Sequence, residues 1–244
     1  MSNLRFYSPE KLRLGSQVKL SDNASTHATR VMRLSVGDKL FLFDGNGDDF
    51  ECELVSVQKN ATLAHVLNAR EVNNESPLNI TLLLGMSAGD RMDIGIQKAI
   101  ELGVNHIIPI KTERSIVKLD EEKAKKRVEH WQHIVIAACE QSGRATLPIV
   151  ETPTTLSVFC AQPAAENTFR ITLDPLADKR LADLSKPSGE IQLLIGAEGG
   201  LSASEIALAS QQGFVGVQLG KRILRTETAP LAAIATMQAL WGDF

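Results

Sequence analysis

Two segments decide the fold of this chain: EIQLLIGAEGGLSASE (residues 190–205) and VQLGKRILRTETAPL (residues 217–231). Each begins as an apolar strand, turns at a glycine and leads into a helix. In the first segment, Ser202 and Glu205 form the S-x-x-E capping box of a helix N-terminus. In the second, an apolar helix follows from about Pro230. Because ligands of open α/β sheets bind at the carboxyl ends of strands, these two loops predict a binding crevice.

Known nucleotide signatures do not fit the two loops. A dinucleotide fingerprint needs a second glycine where Glu198 stands. A P-loop needs Ser or Thr after Gly220-Lys221, where Arg222 stands, and a glycine at Val215. The crevice is therefore not predicted to hold its ligand by phosphates.

Strands and helices alternate around these segments. Apolar runs predict strands at 80–84, 104–110, 169–173, 191–195 and 214–219, and periodic patterns predict helices at 90–102, from 120 onward and from about 230 to 240. Asp120 is the expected N-cap of the long helix, whose core stripe is Ala124, Val128, Trp131, Val135 and Ala138. The pattern predicts an α/β parallel sheet, and pattern alone favours an unknotted one.

The first seventy residues differ, since short alternating runs recur there without long helices. The runs are 4–7, 17–20, 39–43, 50–57 and 62–67, and they predict a small antiparallel barrel. The loop 44–49 is rich in turn formers and predicts a hairpin; it lacks the glycine and glutamate of a calcium loop. Residues 22–34 can form one helix that carries His27, Arg30 and Arg33 along one side, and residues 70–79 have the polar composition of a linker.

Composition is that of an ordinary soluble protein, with 43% hydrophobic and 23% charged residues in 244. No apolar run approaches the ~20 residues of a membrane span, so the expected location is the cytoplasm. The net charge of −3 means that an RNA-binding surface would need clustered basic residues. Cys52, Cys139 and Cys160 are few, odd in number and widely spaced, which predicts buried thiols.

The loops GAEGGLS (196–202) and LGKRILRTETA (219–229) resemble those of the bacterial 16S rRNA uridine-N3 methyltransferases of the SPOUT superfamily. The resemblance extends to QKAIELGV (97–104), TERS (112–115), AACEQSGR (137–144) and HATRVMR (27–33), in the family's order. One departure is visible: the family has proline after the first glycine of the first loop, where this chain has Ala197. Alanine lacks the ring that fixes φ, which leaves the loop less rigid.

The resemblance implies a fold and an activity. Residues 1–72 would form a PUA-like, RNA-binding β-barrel, and residues 77–244 a SPOUT methyltransferase domain with a C-terminal trefoil knot that holds S-adenosylmethionine. The activity would be methylation of N3 of one uridine in 16S rRNA of the small ribosomal subunit. The alternatives are a non-catalytic RNA-binding or ribosome-assembly factor on the same fold, and an unrelated α/β enzyme that uses another nucleotide.

The resemblance also implies site residues. The cofactor would contact Leu173, Ile195, Gly196, Gly199, Gly200, Leu219, Gly220, Ile223, Leu224 and Thr228. Contacts to RNA would come from His27, Arg30, Arg33, Arg114, Arg144 and Arg222, although solvated surface charges would have the same sequence pattern.

Uridine N3 carries a proton at neutral pH, so its methylation calls for a fixed cation. Arg225 is the candidate to stabilise the charge that develops on O2 or O4, and a guanidinium stays protonated. The alternative for Arg225 is an ion pair with Glu227 or Glu198. Glu198 is one candidate proton acceptor and solvent is another, while the alternative for Glu198 is a structural hydrogen bond to the facing loop.

The sequence and the resemblance also give expectations about a second copy of the chain and about metals. SPOUT relatives complete each active site with residues of a second copy, and the helix after Pro230 is apolar on more than one face, so we expect a homodimer; the alternative is a helix buried in its own domain. We expect no metal, because His130 and His133 have no H-E-x-x-H pattern around them. No G-x-S-x-G elbow of a serine hydrolase follows any strand.

Overall fold

The computed structural model describes residues 4–58 and 61–244, which form two compact units. One unit holds the residues up to Glu75 together with Ile136–Leu147, and the other holds Ser76–Val135 and Pro148–Phe244. The domain limits expected from the sequence place residues 136–147 in the second domain (77–244). In the structure these residues belong to the first unit. None of the helices in the described part of the chain combines the length and the apolarity of a membrane span.

The first unit contains a five-stranded sheet. Its strands are β1 (Arg5–Tyr7), β2 (Gln17–Lys19), β3 (Lys39–Phe43), β4 (Asp48–Gln58) and β5 (Ala61–Glu71), in the spatial order β1-β3-β4-β5-β2. Neighbouring strands are antiparallel except β1 and β3, which are parallel. Alternate side chains of β3, β4 and β5 point into the core, among them Leu40, Leu42, Cys52, Leu54 and Val66. The predicted strands and the hairpin before β4 are confirmed.

The helix of the first unit differs from the prediction. α1 (Asp22–Thr26) is capped by Ser21, whose hydroxyl accepts the N–H of Ala24 at 3.2 Å, and it continues as a π-helix over His27–Val31. The predicted single helix over 22–34 is therefore too long. Arg33 lies beyond it with a φ of 58°. Because π winding changes the angle between successive side chains, His27, Arg30 and Arg33 do not form the row that an α-helix would give.

A buried ion pair fixes residues 136–147 in the first unit. Arg5 Nε donates to Asp49 Oδ1 at 2.7 Å, and both side chains are almost fully buried. The other guanidinium nitrogens of Arg5 donate to the carbonyl oxygens of Cys139 and Arg144, each at 2.8 Å. Breaking this network would leave a buried charge without a partner, so it strongly favours this arrangement.

The second unit is built on a six-stranded parallel sheet. Its strands are β6 (Ile80–Gly85), β7 (His106–Ile110), β8 (Ile149–Val150), β9 (Phe169–Leu173), β10 (Ile191–Ile195) and β11 (Val215–Val217), in the order β11-β9-β10-β6-β7-β8. β6 and β10 are buried at every residue, as expected of central strands covered on both faces. The predicted α/β parallel sheet is confirmed, and the trefoil knot stays a prediction. The strand expected at 214–219 is shorter, because Gln218 and Leu219 belong to the loop after β11.

Helices pack against this sheet. They are α2 (Asp90–Glu101), α3 (Glu121–Ser142), which continues into the first unit, α4 (Leu156–Cys160), α5 (Ala203–Gln211) and α6 (Thr228–Trp241), with a 3₁₀ turn at Leu181–Asp183. Asp120 caps α3, since its Oδ1 accepts the N–H of Lys123 at 2.8 Å. The capping box of Ser202 and Glu205 opens α5 as predicted. α6 packs against α2 and begins directly after the second glycine loop.

Candidate active site at the carboxyl ends of the parallel strands

A cavity of about 840 Å³ lies at the carboxyl ends of β9, β10 and β11, entirely within the second unit. Nine of the predicted cofactor residues line it: Leu173, Ile195, Gly196, Gly199, Gly200, Leu219, Gly220, Ile223 and Leu224. Thr228, the first residue of α6, does not line it. Arg225, Glu198, Arg114 and Arg222 also reach the cavity. Its volume is that of a small-molecule site.

The first glycine loop is a tight turn whose glycines are required. The N–H of Gly200 donates to the carbonyl of Ala197 at 2.8 Å, and Gly200 has a φ of 68°. A Cβ at Gly196 would lie 2.7 Å from the carbonyl carbon of Gly200, and one at Gly199 would lie 2.8 Å from Cβ of Arg114. The tight path of the loop therefore depends on its glycines, because a Cβ would collide with the loop itself or with Arg114.

The second glycine loop is held against the first by a threonine. Thr226 Oγ1 donates to the carbonyl of Gly196 at 3.3 Å and lies 3.1 Å from Oγ of Ser87. The carbonyl of Arg225 accepts the N–H groups of Thr228 and Ala229, both at 2.9 Å, and so starts α6. These contacts fix the backbone that follows Arg225.

Glu198 is tied to the segment that follows β6. Its Oε1 accepts the N–H of Ala88 at 2.9 Å and a guanidinium N–H of Arg91 at 3.1 Å. Burial by itself would raise the pKa of Glu198, but these donors and its own N–H outweigh burial, so the pKa lies below the ordinary glutamate value. A carboxylate with a lowered pKa is a weaker base. The geometry favours the structural alternative for Glu198.

Glu227 presents an unsatisfied acceptor at the cavity. Its Oε2 is buried and has no hydrogen-bond partner in residues 4–58 and 61–244. The nearest cation is Arg91, whose Nε is 4.0 Å away, beyond hydrogen-bonding distance. A buried carboxylate oxygen without a donor is unfavourable. Glu227 lines the cavity, so its negative charge would attract a cationic ligand there.

The arginines that line the cavity differ in whether their side chains already have a hydrogen-bond partner. Arg114 Nη1 donates to the carbonyl of Gly199 at 3.0 Å, which ties it to the first loop. Arg222 and Arg225 are exposed, and within the described chain neither side chain has a hydrogen bond or an ion pair. The alternative that Arg225 is paired with Glu227 or Glu198 therefore has no contact to support it, since both carboxylates face Arg91.

Comparison with known proteins identifies the family. The model of an RNA methyltransferase domain matches residues 74–238, and that of an RNA methyltransferase PUA domain matches residues 20–67. The ribosomal RNA small subunit methyltransferase E of Buchnera aphidicola (subspecies Schizaphis graminum) is 34% identical over 98% of this chain and 97% of its own. The chain belongs to the ribosomal RNA small subunit methyltransferase E family. The methyltransferase E of Bacillus subtilis, which is 34% identical over 89% of each chain, agrees with this assignment.

Two solved structures support the family assignment at the level of the fold. The methyltransferase E of Neisseria gonorrhoeae, crystallised with S-adenosylmethionine, is 44% identical and superimposes with a TM-score of 0.92 over 99% of both chains. A Legionella pneumophila protein in complex with the bound cofactor S-adenosylmethionine is 38% identical, with a TM-score of 0.95 over the full length of both chains. The resemblance found in the sequence is confirmed, as is the PUA-like character of the N-terminal domain.

The RNA contacts predicted for this methyltransferase E family member lie in two places. His27, Arg30 and Arg33 are exposed on the first unit, and Arg114 and Arg222 lie at the cavity of the second. The structure does not support an RNA contact for Arg144. Its side chain is only 4% exposed and its Nε is 3.1 Å from both carboxylate oxygens of Glu75, so its charge is already neutralised inside the first unit.

Other predicted features have structural roles. His130 Nε2 lies 2.8 Å from Asp93 Oδ2, and the described residues contain no group of three or more metal-ligating side chains. Cys52, Cys139 and Cys160 are buried free thiols, as predicted. Burial raises the pKa of Cys52 and of Cys139 to about 12, so neither is a reactive thiolate.

Sequence patterns missed Arg91, Asp174 and Glu227, which all line the cavity. Arg91 is in the first turn of α2, and its partner Glu198 is 107 residues away in the chain. Glu227 lies inside the matched RTET segment, so the motif could have indicated it; Arg91 gave no local signal.

Proposed function

We propose that this chain transfers the methyl group of S-adenosylmethionine to N3 of one uridine of 16S rRNA in the small ribosomal subunit. The observation that carries the proposal is the position of Arg225, which is unpaired within the described residues, lines the cavity and directly precedes a hydrogen-bonded backbone segment. Such an rRNA substrate implies a cytoplasmic enzyme.

The residues of the cavity fit the proposed cofactor. The two glycine loops bring backbone N–H and carbonyl groups to the cavity, which suits a purine edge. Leu219, Ile223 and Leu224 offer apolar contact to its faces. Ile223 is 87% exposed, and covering it with a ligand would be favourable. The carboxylate of Glu227, which lines the cavity, fits a ligand that carries positive charge. When bound, S-adenosylmethionine supplies an electrophilic methyl group on a sulfonium centre.

The role we assign to Arg225 is electrostatic. Loss of the N3 proton places negative charge on O2 and O4 of the uracil, and a fixed guanidinium near those oxygens stabilises that charge. A preorganised donor of this kind typically contributes roughly 3 to 4 kcal/mol to a transition state. Glu198 is unsuited to accept the proton, because its pKa is lowered and its Oε1 already binds Ala88 and Arg91. We therefore propose solvent as the proton acceptor and a positioning role for Glu198.

The second copy of the chain that we expect would cover an open face of α6. Pro230, Ala233, Ile234, Met237, Gln238 and Trp241 form the buried face of the helix. Leu231, Ala232, Ala235 and Ala239 follow one another at helical spacing on another face and keep partial exposure. This face adjoins the second glycine loop, so a homodimer would bring a partner chain close to Arg225.

A methyl-transfer assay tests the function. Small ribosomal subunits that lack the modification are incubated with the protein and labelled S-adenosylmethionine, and the product nucleoside is identified by mass spectrometry. We expect 3-methyluridine at a single position, formed about 10²- to 10³-fold more slowly with Arg225→Ala. Cofactor binding without transfer to subunits or to naked 16S rRNA would instead support the non-catalytic alternative.

A further inference from the structure

The first unit has a cavity of its own, which the proposed methyl transfer does not use. It measures about 320 Å³, large enough for a single nucleobase, and is lined by Phe6, Asn23, Ala24, Thr26, His27, Val31 and Glu140. All of these residues belong to the first unit, because residues 136–147 are part of it.

Aromatic rings form one side of this cavity. Phe6 is buried, and the exposed ring of His27 meets it edge to face, with centroids 5.5 Å apart. His27 begins the π-helical segment His27–Val31, and both ends of that segment line the cavity. π-helical turns are rare and frequently occur at functional sites. Histidine and phenylalanine are among the residues on which unstacked RNA bases stack.

Glu140 supplies a carboxylate to the lining of the cavity, beside the polar side chains of Asn23 and Thr26. Its Oε1 accepts the N–H of Tyr7 at 2.9 Å, while Oε2 receives no hydrogen bond from the described residues. Burial raises the pKa of Glu140, and the N–H of Tyr7, His27 and Arg5 only partly offset this. An ionised carboxylate accepts hydrogen bonds and cannot donate them. A ligand that binds the ionised form of Glu140 must therefore present a hydrogen-bond donor to this carboxylate.

Two exposed arginines are close in sequence to residues that line the cavity. Arg30 precedes Val31 in the π-helical segment, and Arg33 follows two residues later. Both side chains are exposed, and neither forms an ion pair within residues 4–58 and 61–244. Such arginines can bind the phosphates on either side of an inserted base.

We propose that this cavity binds one unstacked guanine of the RNA substrate, with its Watson–Crick edge on Glu140, its ring against His27 and its flanking phosphates on Arg30 and Arg33. Guanine is favoured because N1–H and the N2 amino group are adjacent donors that match a carboxylate. Adenine and cytosine place a ring acceptor next to their amino group, and uracil flanks its single N–H with two carbonyl oxygens that a carboxylate repels. The proposal rests on the proposed function, since it assumes an RNA substrate.

Binding of short RNA to the full chain tests the proposal. The probes are fluorescently labelled, uridine-rich oligonucleotides with G, A, C or U at the central position, and fluorescence polarisation is measured at fixed low salt. We expect the G probe to bind about tenfold more tightly than the U probe, as for a good bidentate contact to one base. Equal affinities for all four probes would overturn the proposal.

Variants test whether Glu140 causes the preference for the G probe. Glu140→Gln keeps an acceptor for the N–H of Tyr7 but replaces half of the carboxylate by a donor, so the preference for G should disappear. The control Glu71→Gln makes the same change of charge at an exposed residue of the same unit that does not line the cavity, and should keep the preference. Arg30→Ala should lower the affinity for all four probes by the same factor. If the preference survives Glu140→Gln, this cavity does not read the base.

A second variant tests the base preference without disturbing the core of the first unit. His27→Ala removes an exposed ring, so the core of the first unit is left in place, and thermal unfolding monitors each variant. His27→Ala should weaken binding of the G probe more than binding of the U probe, because purines stack more extensively. Methyl transfer to subunits is assayed in parallel. Transfer without a base preference would contradict this proposal alone, whereas absence of transfer would contradict the proposed function.

Discussion

Arg91 and Glu198 form an ion pair in which Nη1 and Oε1 lie 3.1 Å apart, and the same oxygen accepts the N–H of Ala88. The pair joins the first turn of α2 to the first glycine loop, and Arg91 also lies 4.0 Å from Glu227 of the second loop. One arginine thus adjoins carboxylates of both loops that form the cavity. Its sequence context gives no indication of this role.

Glu198→Gln should lower kcat by less than about tenfold, whereas loss of a general base typically costs 10²- to 10⁴-fold. The amide retains an oxygen for the N–H of Ala88 and loses only the charge that faces Arg91. Steady-state kinetics on small subunits measures the effect. A decrease of several hundredfold with normal thermal unfolding would assign the proton acceptor to Glu198 after all.

The unfolding temperature of Glu198→Gln should depend less on pH than that of the unmodified protein. The pKa of Glu198 in the folded protein lies below its ordinary value of 4.5, so the carboxylate stabilises the fold above that pH and loses this effect as the pH falls through the lowered pKa. The unfolding temperature of the unmodified protein should therefore fall more steeply below pH 4.5 than that of Glu198→Gln.

Gly200→Val should abolish cofactor binding while the protein still folds. The residue has a φ of 68°, a conformation that a β-branched side chain resists at a cost of about 1 to 3 kcal/mol. Gly213→Val is the matched control, because Gly213 has a φ of 82° and equally open surroundings but does not line the cavity. Calorimetry should find similar losses of stability and loss of S-adenosylmethionine binding in the first variant only. Retained affinity in Gly200→Val would mean that the loop serves only as a helix entry.

Glu227→Gln should weaken S-adenosylmethionine binding by about tenfold or more, since a charge-assisted hydrogen bond contributes about 1.5 to 3 kcal/mol. Comparison with S-adenosylhomocysteine, which keeps the ammonium group and lacks the sulfonium charge, separates the two positive groups. Equal weakening of both ligands indicates the ammonium, and weakening of S-adenosylmethionine alone indicates the sulfonium. Asp178→Asn, at an exposed carboxylate outside the cavity, is the control. Unchanged affinity for both ligands would exclude Glu227 from the cofactor site.

The described features divide into those that sequence could predict and those it could not. β9 and β10 were predictable to the residue, because short segments rich in apolar and β-branched residues between polar segments favour strands. The caps at Asp120 and Ser202 are local signals. β8 and α4 have only two and five residues, too few for a period to be recognised.

The arrangement within each unit depended on long-range contacts. The glycine loops could be found because each is one continuous segment. The hydrogen bonds of Arg5 to Cys139 and Arg144 cross more than 130 residues of sequence, and no local pattern encodes them. The same network explains the departure from the predicted domain bounds, and it buries Arg144, whose charge resembled a surface RNA contact.

The protein should be a dimer at micromolar concentration, and Ala235→Arg should make it monomeric. Ala235 is half-buried on the open face of α6, where a long cation would clash with a facing copy but can extend into solvent in a monomer. Ala207→Arg, at an exposed alanine of α5, is the control. Light scattering that gives a monomer mass for the unmodified protein would remove the dimer, and the open face would then belong to the monomer surface.

Arg225 supports the most direct test of the proposed chemistry. If its guanidinium stabilises the charge on the uracil oxygens, Arg225→Ala should lower kcat by about 10²- to 10³-fold with near-normal cofactor affinity. Arg225→Lys should lose less, because it keeps a positive charge but not the planar donor fork. Lys221→Ala removes a cation from the same loop outside the cavity and should leave kcat unchanged.

The pH dependence distinguishes this role from a structural one. Without Arg225, the bound uridine holds its N3 proton more tightly, so the deprotonated fraction, and with it kcat of Arg225→Ala, should rise as the pH increases. The unmodified protein should gain less over the same range, because the guanidinium already stabilises the anion. A structural arginine would give a different result: cofactor affinity measured by calorimetry would fall together with kcat, and raising the pH would restore neither. That result would leave the charge on the uracil without a partner from this loop and would exclude Arg225 from the reaction.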